Sequence, residues 1–160
     1  MGFLQWLNGL LGQGSPNQRP AAFRATPTNS SEPLDELEGL NFRKAVEAHQ
    51  RWKNRIGDYI TGKTQERLDP TEFAQDDQCV LGVWMLRYGN ERYSEEKLYQ
   101  KLRLAHTQLH LQASRIILEF HKGNPLYAQE MLNAGDYPLL AMRLAGLLAR
   151  LYHRCQDGVI

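Results

Sequence analysis

Residues 94–121 read SEEKLYQKLRLAHTQLHLQASRIILEFH, and this stretch decides the fold. Leu98, Leu102, Ala105, Leu109, Ile116 and Ile117 recur mostly at helical spacing and fall on one face, so the segment is expected to form a long helix with that face inward. Ser94 offers a capping hydroxyl ahead of Glu95 and Glu96. Gly123-Asn124-Pro125 supplies the stop, because Gly is favoured just past a helix and Pro cannot continue one. His106 and His110 lie four apart on this helix, so their imidazoles can reach a common point.

The same period runs upstream and downstream. A first helix is expected to begin between Asp35 and Leu40, carrying Leu40, Phe42, Val46, Trp52, Ile56 and Ile60 inward with His49 inside it. The stretch from Gly62 to Pro70 breaks the pattern, and Pro70 suits a helix N-terminus or a turn. A second helix is expected from a cap at Asp76 or Asp77, with Val80, Leu81, Trp84 and Leu86 at core positions and Gly89 as its close. Cys79 then falls in its first turn, where free backbone N–H groups favour a thiolate. A fourth region runs from Leu126 to about Arg154, interrupted at Gly135-Asp136-Tyr137-Pro138, with Leu139, Met142, Leu144, Leu147, Leu148 and Leu151 as its apolar stripe. No alternating strand pattern and no internal repeat competes, so the expectation is an all-α four-helix bundle over residues 35–156.

Composition narrows the partners. Lys and Arg number 19 against 18 Asp and Glu, which gives no general electrostatic case for nucleic acid. Two cysteines, Cys79 and Cys155, are too few for a disulfide-stapled secreted domain, so a reducing cytoplasm is expected, with Cys155 a free thiol. Residues 1–12 are apolar but lack the charged region and cleavage site of a secretory signal, and they are too short to span a bilayer. Phe3, Leu4, Trp6, Leu7, Leu10 and Leu11 give an amphipathic turn or two, suited to a docked terminal helix, a protein partner or, without Lys or Arg to help, weak membrane contact. Residues 13–34 are rich in Gly, Ser, Pro, Asn and Thr and read as a flexible linker.

His49, Cys79, His106 and His110 are then the candidate metal ligands, one from each of two helices and two from a third. A thiolate with three neutral imidazoles suits tetrahedral Zn2+, and four protein ligands leave no position for a catalytic water. No Ser-His-Asp arrangement, Gly-rich phosphate loop or His-Glu-x-x-His helix occurs, so no enzyme is expected. His121 and His153 are read as surface or hydrogen-bonded residues. Trp52 and Trp84 are read as packing residues that wall the site, while Glu47 and Asp77 are open to orienting an imidazole or to simple solvation.

Three pieces carry a resemblance: His-x-x-Trp at His49 to Trp52, Cys-x-Leu-Gly-x-Trp at Cys79 to Trp84, and His-x-x-x-His at His106 to His110. In this order they resemble the chemoreceptor zinc-binding (CZB) domain, a bacterial helical-bundle family with a three-His, one-Cys zinc site, over roughly Asn41 to Cys155. The lysine that commonly stands between Gly and Trp in the cysteine motif is Val83 here. The resemblance implies zinc bound at the four residues above, a dimer, and a sensory or regulatory role toward a chemoreceptor or a diguanylate cyclase. Two functions follow as expectations. In one, zinc occupancy or oxidation of Cys79 controls a signalling partner; in the other, zinc is a structural staple and the chain is a dimerisation or adaptor module working through its N-terminal segment.

Overall fold

The computed structural model describes residues 36–37 and 39–158, with side chains from Gly39 onward. The expectations for residues 1–12 and 13–34 therefore lie outside the described residues. A small antiparallel hairpin, β1 (Glu36–Leu37) with β2 (Leu40–Asn41), opens the described chain and pairs Leu37 with Leu40. Gly39 makes its turn at φ 80°, a left-handed conformation that a Cβ would oppose. Everything after it is helical or connecting chain.

The first helix, α1 (Phe42–Ile60), starts later than expected because the hairpin occupies the residues before it. Asn41 caps it, its side chain accepting from the Lys44 N–H at 2.9 Å. The connection that follows contains α2 (Pro70–Ala74), one short helix with Pro at its first position and the Asp69 carboxylate accepting from the Thr71 N–H at 2.8 Å.

The second helix departs most from expectation. It begins at Val80, not at an Asp76 or Asp77 cap, because Cys79 itself is the cap residue. Helical chain then runs through α3 (Val80–Trp84), a π turn at Met85–Gly89 and α4 (Asn90–Tyr93). Gly89 does not close it. A Cβ there would lie 2.6 Å from the Tyr99 hydroxyl, so this glycine is the seat of a buried tyrosine that also donates to the Met85 carbonyl at 3.1 Å. Leu81, Trp84 and Met85 face inward, whereas Val80 and Leu86 are on the opposite face and exposed.

The spine is α5 (Lys97–His121), a helix of 25 residues. Ser94 does not cap it; the helix starts two residues beyond Ser94's neighbour Glu95, and the Ser94 carbonyl instead accepts from the Gln100 side chain at 2.9 Å. Gly123 at φ 84° ends it, and Pro125 opens α6 (Pro125–Asn133). The expected interruption is real: α7 (Asp136–Gln156) is separate, with Pro138 tolerated in its first turn. Leu139 and Met142 lie on its exposed side, while Leu144, Leu147, Leu148 and Leu151 are buried. The described residues are thus all-α apart from the hairpin, with α5 packing most extensively on α7 and α2.

Phe42 against Tyr152, with ring centroids 5.2 Å apart, ties the start of α1 to the end of α7. The same core holds Ile56, Leu102, Ile116, Ile117 and Leu148, all shielded from water, which provides the main driving force for the fold. No helix among the described residues is long and apolar enough to cross a membrane.

Candidate metal centre

Each donor is aimed by the element that carries it. His49 lies on the buried face of α1, and its Nδ1 is 2.7 Å from the Ala45 carbonyl one turn earlier. A carbonyl only accepts, so Nδ1 carries the proton and Nε2 is left with a lone pair. That nitrogen faces the Cys79 sulfur at 3.8 Å. His110 on α5 repeats the device across elements: its Nδ1 is 3.0 Å from the Phe73 carbonyl of α2, and its Nε2 is buried with no hydrogen-bond partner. His106, one turn before it and 1% exposed, brings Nε2 to 3.2 Å from the Cys79 sulfur.

Cys79 arrives from the turn after α2. Its sulfur accepts the Gly82 N–H at 3.3 Å, so the thiol supplies the helix cap that an Asp or Ser would otherwise give. Gly82 permits this arrangement because a Cβ at that position would lie 1.8 Å from the Asp76 carbonyl oxygen. The glycine of the Cys-x-Leu-Gly piece is therefore required by the fold of the turn that presents the cysteine.

The donor atoms of His49, Cys79, His106 and His110 all lie within 4.8 Å of one another. A tetrahedral zinc shell places such N and S atoms about 3.3–3.8 Å apart, given bonds of about 2.0–2.3 Å. The two sulfur–nitrogen separations, 3.2 and 3.8 Å, fall around that range. The Nε2 of His110 is buried without a protein partner, whereas a buried polar atom is normally paired, and a cation held by this donor set would pair it. The residues therefore fit the metal.

Electrostatics prepare the ligands unequally. Burial, and then the neighbouring rings of His110 and His49, pull His106 down to about 2. Burial and His49 pull His110 down to about 4, against the Phe73 carbonyl and the charges of Asp76 and Asp77, which raise it. His49 is lowered by burial too, so all three imidazoles are held in the neutral, ligating form. The Cys79 thiol moves the other way. Burial pushes it up, and the Gly82 and Leu81 N–H groups only oppose that rise, so the helix start by itself does not make the expected thiolate. A metal cation at the sulfur reverses the balance, because a coordinating thiol loses its proton.

The surroundings sort the remaining candidates. Trp52 walls the site, its ring centroid 4.8 Å from that of His110 and 4.9 Å from that of Phe73. Trp84 does not; its ring neighbours are Phe42, Tyr93 and Tyr99, all core residues. Backbone carbonyls orient the rings of His49 and His110, whereas Asp77 accepts from the Gln78 side chain. The carbonyl of Ala45 is available in any helix, but that of Phe73 depends on α2 folding back on α5 and leaves no mark in sequence. His121 is exposed and shares a 2.8 Å hydrogen bond with Tyr59; His153 is exposed near the end of α7. Cys79 and Cys155 are both outside any disulfide.

A helical fold that converges three histidines and one cysteine on a buried point defines a metal-binding helical domain. The family model of the chemoreceptor zinc-binding domain matches residues 49–117, from His49 to beyond His110. The match is shorter than the span over which the sequence resembles the family, leaving α6 and α7 outside it. No curated protein and no solved structure matches the chain.

Proposed function

We propose that His49, Cys79, His106 and His110 hold one Zn2+ in a closed four-ligand shell, and that the domain is a regulatory module whose state follows the condition of Cys79. The observation that carries this reading is the convergence of the four donor atoms within 4.8 Å, with one imidazole nitrogen buried and unpaired. Bound zinc would supply the charge that keeps Cys79 deprotonated and would tie α1 and α5 to the cysteine turn. We read the helices as a four-helix bundle in which the run Val80–Tyr93 is the second member and α6 with α7 the fourth.

Cys79 is the responsive element. Cys79 as a residue is partly exposed, whereas the three histidines are almost wholly enclosed, and a thiolate is the donor that a small oxidant attacks. Hypochlorous acid forms an S–O bond with the thiolate as the O–Cl bond breaks; sulfur loses two electrons, chloride leaves, and a sulfenic acid results. A sulfenic acid is a poorer ligand and a poorer acceptor for the Gly82 N–H, so the start of the Val80–Tyr93 run loosens. The partner that reads this change is a signalling protein of the chemoreceptor or diguanylate cyclase kind, the domain acts as a homodimer, and it works in the cytoplasm; the match of residues 49–117 to the chemoreceptor zinc-binding family supports the signalling context.

Elemental analysis and thiol titration on the full chain purified without added zinc, before and after mild hypochlorous acid, test the proposal. One zinc per chain that is released as Cys79 oxidises supports it. Zinc retained under oxidant leaves a structural staple, and a chain without zinc overturns the ligand assignment.

A further inference from the structure

Asp76 is joined to the cysteine turn and to the histidine helix at once. Its backbone carbonyl lies 3.7 Å from the Cys79 sulfur and packs against Gly82, where a Cβ would meet that oxygen at 1.8 Å. Its carboxylate accepts a hydrogen bond from the Thr107 hydroxyl. Thr107 follows His106 directly on α5 and precedes His110 by less than one turn. A single residue thus grips the cap of α3 through its backbone and the helix bearing two histidines through its side chain.

The other donors are placed independently of this contact. His49 is held by Ala45 within α1, and His110 by the Phe73 carbonyl of α2. Cys79 alone sits at the start of a helix, reached by a turn in which Gln75, Asp77 and Gln78 are exposed. The position of its sulfur relative to the rings therefore depends on what fastens residues 75–79 to α5, and beside the contact of the sulfur with His106 itself the bond between Asp76 and Thr107 is a side-chain link there.

We propose that Asp76 and Thr107 are a positioning pair that latches the Cys79 turn onto the histidine helix and sets how readily the sulfur leaves the site. The proposal rests on the assignment of these four residues as zinc ligands. With the latch released, the three imidazoles stay in place and the sulfur becomes the donor that detaches first. Metal exchange and thiol attack then speed up without loss of the fold.

The test uses the full chain, zinc-loaded and metal-free, as wild type, Thr107→Val, Thr107→Ser and Asp76→Asn. Valine removes the donor at an exposed site, whereas serine keeps it and asparagine keeps an acceptor. Alkylation by iodoacetamide is followed at Cys79 and Cys155 separately by peptide mass spectrometry, and zinc transfer to a coloured chelator is followed by absorbance. Thr107→Val is expected to raise Cys79 alkylation and zinc release about tenfold, the scale of one hydrogen bond to a charged acceptor, with Cys155 unchanged and the serine and asparagine variants near wild type. Equal rates in wild type and Thr107→Val overturn the latch, as does a parallel rise at Cys155, which would mean general loosening. A wild-type chain that takes up no zinc overturns the ligand assignment instead, and the metal-free alkylation rates still decide whether the latch positions the sulfur.

Discussion

The sulfur of Cys79 accepts the backbone N–H of Gly82 at 3.3 Å, so the atom that faces two imidazoles is also the cap of a helix. Metal affinity and the start of the Val80–Tyr93 run are linked through that one atom. What happens to the sulfur is felt by the backbone without any intermediary.

This double role separates two substitutions at one position. Cys79→Ser keeps a capping oxygen and loses a good zinc ligand, whereas Cys79→Ala loses both. In chelator, the alanine variant is expected to be about 1 kcal/mol less stable than the serine variant by urea unfolding, the usual effect of deleting a cap. Both are expected to lose zinc affinity in a competition titration. Equal stability of the two metal-free variants would remove the cap from the account.

Gly82→Ala should be among the most damaging single-methyl additions in the domain. The new Cβ would sit 1.8 Å from a backbone oxygen, which has no flexible end to move aside. Either the Asp76 turn or the helix start must shift, and we expect a loss of about 2 kcal/mol or more together with a fall in bound zinc. A fully stable, zinc-replete Gly82→Ala protein would contradict the geometry of the cysteine turn.

Acid should weaken the metal-free protein. His106 and His110 are pulled down to about 2 and about 4 from the ordinary 6.5, chiefly by burial. Below 6.5 the unfolded chain takes up protons on these rings before the folded chain does, so the unfolded state binds more protons and stability falls as pH drops from 6.5 toward 4. At the other end, the Cys79 thiol is raised above the ordinary 9.0, so the unfolded chain releases that proton first and stability falls again above pH 9. Urea midpoints in chelator at ~pH 7 and ~pH 5 check the acid limb, with the lower midpoint expected at the lower pH.

The parts of this domain legible in sequence are those set by local pattern. The stripe from Leu102 to Ile117 marks a helix by itself, Gly123 and Pro125 mark its end, and the spacing of His106 and His110 fixes their shared face. All four candidate donors could be named because each stands in a recognisable short motif and the structure brings them together. Tertiary approach is what sequence hid. Gly89 was expected as a stop, yet its missing side chain makes room for Tyr99 and the helix runs on through a π turn. Asp76 or Asp77 is the cap that the sequence suggests, because Asp is a favoured capping residue, yet the helix is capped by Cys79. The Phe73 carbonyl that orients His110 belongs to a short helix whose docking on α5 has no signature in the residues themselves.

Charge pairs on the outside should matter little by comparison. Arg55 reaches both carboxylate oxygens of Glu66 and lies over the Phe73 ring, but the two charged side chains remain 41% and 40% exposed. Arg55→Ala is therefore expected to lower stability by less than about 1 kcal/mol and to leave zinc content unchanged. A large loss of zinc in that variant, measured by elemental analysis, would mean that the pair holds Phe73 and His110 in place.

The most direct test of the central claim is X-ray absorption at the zinc edge on the full chain. The account predicts about three nitrogen donors near 2.0–2.1 Å and one sulfur near 2.3 Å, with the sulfur contribution gone in Cys79→Ala. A wild-type shell without sulfur, or with oxygen donors in place of imidazoles, would contradict it.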